Sequence, residues 1–211
     1  MEGELVGIIG ALCGLASTAI TGWFAYNPKT KDKMTDMKIE RVKFQEKQNG
    51  YKRSENTGKV LGELYKVMIA TGADRVYIVQ PHPLGHIAFL SIQFEVKANG
   101  VEGMKMSVQK LEMSEVPLFS KRMTENIFMY FDDIDTQVED RVAKSLMSSN
   151  GTIAVAIKRL NSSRDWVGSI FCEFLDVPNH TQDEINKILH EAASNIQFNL
   201  PEYQDKEFDT F

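Results

Sequence analysis

Two histidines, His82 and His86, stand four residues apart in the stretch RVYIVQPHPLGHIAFL that runs from Arg75 to Leu90. On a helix that spacing would bring both imidazoles to one face, where they could share a zinc ion. Pro81, Pro83 and Gly85 forbid a helix there, no cysteine is nearby, and a third ligand would have to come from elsewhere in the chain. A catalytic histidine needs a nucleophile and an orienting carboxylate, and no such constellation is visible. The stretch reads instead as a corner between two strands. Gln80, His82 and His86 are its candidates for contact with a ligand or partner.

The other reactive side chains give the same answer. Asp132, Asp133 and Asp135 form an acidic loop that lacks the glycine and terminal glutamate of a calcium loop. Glu139 and Asp140 are neighbours on a predicted helix, so their side chains diverge and read as a solvated face. There is no glycine-rich phosphate loop. Cys13 and Cys172 are too few for a disulfide framework. No catalytic residue, metal site or cofactor is expected, and the chain reads as a non-enzyme. Its net charge of -5 argues against nucleic acid as a partner, because phosphate binding wants a basic surface.

The elements that must position these residues begin with the segment Leu5 to Tyr26, which contains no charge. As a helix it would be about 33 Å long at 1.5 Å per residue, enough for a hydrocarbon core of roughly 30 Å. Gly10, Gly14, Thr18 and Gly22 repeat every four residues, a small-residue stripe along which membrane helices pack closely. Trp23, Tyr26, Lys29, Lys31 and Lys33 follow as interface residues, and Pro28 closes the span. The basic residues after the span, up to Lys43, predict a single-pass protein of an inner membrane, with its N-terminus outside and its larger part in the cytoplasm.

Residues 29–56 read as a charged helical stalk with a bend near Asn49-Gly50, a turn dipeptide. A first domain helix is expected over 57–71, capped by Gly72. Strands follow at 75–80 and 88–97, and an extended segment at 103–115. A short helix at 116–126, a strand at 127–131 and a helix at 135–148 come next. A hairpin of strands, 152–159 and 166–175, precedes a last helix opened by the capping box Thr181-Gln182-Asp183-Glu184. The fold class is α+β, an antiparallel sheet with its first and last helices on one face. Residues 1–28 form the anchor, 29–56 the stalk, 57–200 the soluble domain and 201–211 a tail.

Taken together, GADRVYIVQPH, NGTIAVAIKRL, WVGSIFCEFL and the capped last helix resemble a GAF-like domain. One span, a charged stalk and such a domain also resemble phage-encoded single-span membrane proteins, with a layout similar to that of the T-even phage holin. Many of those proteins end the first strand in an FHNG corner. This chain keeps His82 but replaces the Asn-Gly pair. The resemblance implies a membrane-anchored regulator whose domain binds a small molecule or a protein. Its pocket would lie between the sheet and residues 103–126, and the chain would self-associate through span and stalk. Two alternatives stay open: a holin-like lysis protein and a virion-associated or scaffold protein.

Overall fold

The computed structural model describes residues 28–82, 89–160 and 166–200, with side chains from Thr35 onward and without that of His82. The predicted span, including Gly10, Gly14, Thr18, Gly22, Trp23 and Tyr26, lies outside the described residues, as does His86. Among the described residues no helix is long and apolar enough to cross a membrane. The chain divides into two units, Met1–Lys52 and Arg53–Phe211.

Helix α1 runs over Pro28–Thr71 without a break. Asn49 and Gly50 are helical residues inside it, so the expected turn dipeptide does not interrupt the helix. A turn dipeptide bends a chain that gains something by turning. Here Gln48, Lys52 and Arg53 flank it with good helix formers, and one interior glycine costs only about 1 kcal/mol. Lys29, Lys31 and Lys33 fall in its first turns. Thr35 to Lys52 are exposed throughout. From Val60 onward the helix gains an apolar face, with Val60, Leu64 and Val67 buried at helical spacing. It stops at Gly72, whose φ of 69° provides the left-handed exit.

Among the described residues six strands form one antiparallel sheet: β1 (Arg75–His82), β2 (Phe89–Lys97), β3 (Leu111–Glu112), β4 (Phe128–Phe131), β5 (Ala154–Arg159) and β6 (Ser169–Phe174), in the spatial order β3-β2-β1-β6-β5-β4. The strands β1, β6 and β5 are covered on both faces, which explains their nearly unbroken apolar sequences. On one face Val76, Ile78, Ala156, Ile170 and Cys172 pack under α1 and the last helix, α5 (Gln182–Ile196). On the other face Tyr77, Val79, Ile92, Val155, Ile157 and Phe171 lie beneath a cap drawn from residues 104–110, 113–126 and 134–147.

The cap contains α2 (Pro117–Glu125), α3 (Ile134–Gln137) and α4 (Arg141–Ser149). It departs from the sequence reading twice. Met104 and Val108 are buried while Met106 is 87% exposed. That is the spacing of turns, and only Leu111–Glu112 pairs as a strand in the segment expected to be extended. The helix expected over 135–148 is two helices. Asp133 caps the first by accepting from the Asp135 amide, and Asp140 sits at the break, where its carboxylate accepts the Phe119 amide at the start of α2. Asp140 is therefore a buried tie between two helices, not a solvated residue. Glu139 beside it does face solvent, 4.0 Å from Arg122.

Candidate functional site

Between the sheet and the cap lies a cavity of about 40 Å3. Its floor is the face of β1, β2 and β6 that carries Tyr77, Val79, Leu90 and Phe171. Its roof is Met104, Val108, Val116, Phe119, Met123 and Met147, with Ala143 and Leu146 at one side. Tyr77 stacks on Phe171 with ring centroids 5.1 Å apart, and Phe119 approaches Phe171 at 6.2 Å. No charged side chain lines the space. The one hydroxyl in its wall, that of Tyr77, is already committed, donating to Glu173 Oε1 at 2.6 Å.

That hydrogen bond belongs to a buried polar cluster that positions the cavity floor. Arg75 and Glu173 are both fully buried, and Arg75 Nε donates to Glu173 Oε2 at 2.8 Å. The rest of the guanidinium donates to the Glu102 and Asn150 carbonyls and to Thr152 Oγ1, and the Thr152 hydroxyl donates to Glu173 Oε2. Burial raises the Glu173 carboxyl, while Arg75, Tyr77 and Thr152 pull it back down. Burial likewise pushes the Tyr77 hydroxyl well above its ordinary value. The cluster joins strands β1 and β6 to the loop that enters the cap.

The cap segment hangs from a second carboxylate. Glu95 on β2 accepts the backbone amides of Met104 and Lys105. A Cβ on Gly103 would come 2.7 Å from Glu95 Oε2, so a larger residue there would make the Glu95 carboxylate shift. At the far end Ser91 Oγ accepts the Lys110 amide, and the Ile92 amide donates to the Val108 carbonyl. The loop is thus hooked to β2 at both ends, with Met104 and Val108 turned onto the cavity.

Comparison with protein-family models gives no match, and neither does comparison with curated proteins. Comparison with solved structures does. The cyanobacteriochrome receptor PixJ matches with a TM-score of 0.57 at 13% identity, over 70% of this chain and 97% of that one. The third GAF domain of Slr1393 from Synechocystis sp. PCC6803 matches with a TM-score of 0.56 at 14% identity, over 67% and 90%. JSC1_58120g3, in a far-red absorbing dark state with biliverdin IXa bound, gives 0.50 at 16% identity, over 64% and 84%. The fold is GAF-like.

In this GAF-like domain the residues singled out from the sequence are dispersed. Gln80 is buried on β1, and strand alternation puts it on the face opposite Tyr77 and Val79, so it does not line the cavity. Its Nε2 donates to the Val167 carbonyl at 3.4 Å, and Gly168 packs against it. His82 ends β1, paired with Phe89 across the corner. Asp132, Asp133 and Asp135 bond Gln137, Thr136, Ser148 and local amides, and among the described residues no group of potential ligands could hold a metal ion. Cys172 faces α1 on the GAF-like domain's other side, its thiol pushed up to about 12 by burial. Sequence reasoning passed over Arg75 and Glu173. The available signal was an arginine and a glutamate inside otherwise apolar strands, where an unpaired charge would be prohibitive.

Proposed function

We propose that the protein is a non-enzymatic regulator in which the GAF-like domain receives a small molecule or a protein partner, tethered to a membrane by the apolar segment Leu5 to Tyr26. The cavity under the cap carries this reading. It lies between the sheet and a segment hooked on by a few polar contacts, so occupancy can be converted into a change in cap position. Its wall supplies neither nucleophile nor base, which favours binding over chemistry. The tether and the orientation, with the domain in the cytoplasm, rest on the uncharged segment and the basic residues after it.

Biliverdin, the ligand in JSC1_58120g3, does not suit this wall. A tetrapyrrole needs far more room than about 40 Å3, and its carboxylates would meet no charged partner. The test of the regulator reading is twofold. After lysis the full chain should sediment with membranes and be released by detergent but not by high salt. In spheroplasts the domain should resist added protease. A chain that stays in the aqueous fraction overturns the tether. One specific observation favours a second reading, a holin-like lysis protein: the stripe of Gly10, Gly14, Thr18 and Gly22 suits helix assembly in lipid. That reading requires membrane depolarisation when the full chain is induced, whereas a regulator leaves the potential intact.

A further inference from the structure

The cavity also narrows what can occupy it, an inference that rests on the ligand-binding reading above. We propose that the ligand of the GAF-like domain is a compact, uncharged, apolar molecule, between a single large atom and a single ring in size. Two observations converge on this chemistry. The wall is hydrocarbon, thioether and aromatic ring, with no charged side chain and one hydroxyl that is already bonded to Glu173. A polar or ionic ligand would leave its water hydrogen bonds and find no replacement, at a cost of several kcal/mol. The resting space is small, about 40 Å3, well below the roughly 150 Å3 of an apolar cavity that takes benzene or xenon, so a ring enters only where the wall gives way.

Growth beyond the resting size is provided for by residue type. Met104, Met123 and Met147 converge on the roof, and each is almost fully buried. An unbranched thioether side chain changes rotamer at little cost and packs well on aromatic faces, so these side chains can swing aside for a ring that stacks near Phe171 and Tyr77. Branched side chains in the same places would fix the volume. The loop carrying Met104 is tied to the sheet by polar contacts to Glu95 and Ser91, and it is where entry is expected.

Full-length chain in lipid nanodiscs, labelled with 13C at the methionine methyls, tests the proposal by NMR with xenon and with benzene as probes. Saturable shifts are expected for Met104, Met123 and Met147, with none for Met106 and Met37, which face solvent and report non-specific effects. Ala143→Leu, which fills the side wall, should weaken binding about tenfold or more, and Leu146→Ala, which enlarges it, should tighten benzene binding by a similar factor. If Ala143→Leu does not fold, Leu146→Ala alone decides the matter. Shifts that never saturate, or that spare the three buried methionines, overturn the inference. If those methionines answer instead to biliverdin or another charged molecule, the apolar class is wrong but the ligand-binding reading stands. If no probe of either kind moves them, the small-molecule reading falls with it.

Discussion

At the scale of single residues, the costliest choice in the domain is the pair Arg75 and Glu173. Both are removed from water, and such a pair stabilises little compared with apolar residues of the same shape. Its effect is positional: the guanidinium reaches two backbone carbonyls as well as Glu173, so one side chain fixes β1, β6 and the entry to the cap together. Breaking the pair leaves a buried charge with no counter-charge. Glu173→Gln should therefore destabilise the domain by about 3–5 kcal/mol, measured by urea unfolding. The double variant Arg75→Met, Glu173→Met should lose less than the sum of the two single changes. Additive losses would mean that the two charges do not act as a unit.

At the scale of elements, much was legible because local chemistry and tertiary demand agree. The last helix was readable from its capping box and apolar face, and both are present: Thr181 Oγ1 accepts the Glu184 amide, the Glu184 carboxylate accepts the Thr181 amide, and Ile185, Leu189 and Ile196 are buried. The strands β5 and β6 were readable from their branched and apolar runs. The cap was not, because Met104, Met106 and Val108 alternate in sequence as a strand would, whereas its turns bury only Met104 and Val108 and leave Met106 exposed. The cavity was equally hidden, since its wall comes from residues scattered between Tyr77 and Phe171 that share no motif. The turn at Asn49-Gly50 failed for the opposite reason: a local turn signal lies within residues that stay helical. The same reasoning predicts the effect of removing a helical glycine. Gly62 is exposed within α1 and a Cβ there meets nothing within 4 Å, so Gly62→Ala should raise stability by about 1 kcal/mol, read as a higher Tm. The cap of α5 gives a pH dependence. The Thr181 amide and hydroxyl hold the Glu184 carboxyl below its ordinary value of 4.5. A depressed acid contributes stability above that value and loses it as pH falls through the folded one. The advantage of the natural chain over Glu184→Gln should thus be full near neutrality and shrink below about pH 4.5, checked by denaturation at several pH values.

At the scale of the whole domain, the sheet is a rigid floor and the cap is an assembly held by separable ties. The face under α1 and α5 is closed by interlocking apolar side chains from Val60 to Ile196. The opposite face is closed by α2 and α4, joined through Asp140, and by a loop hooked on Glu95, Ser91 and the Arg75 guanidinium. Removing one hook should loosen the loop and leave the floor untouched. Glu95→Ala deletes the acceptor for the Met104 and Lys105 amides while Arg75 still holds the Glu102 carbonyl, so the loop remains attached at reduced stability. Losing two amide–carboxylate hydrogen bonds, each contributing about 1.5 kcal/mol, should speed hydrogen exchange across residues 104–108 by about tenfold or more. Exchange in β1 and β6 should be unchanged. If β1 and β6 loosen together with the loop, the cap and floor form a single cooperative body, and the cavity cannot open without unfolding the domain. Selective loosening shows that the loop can move while the floor holds, which a ligand gate requires.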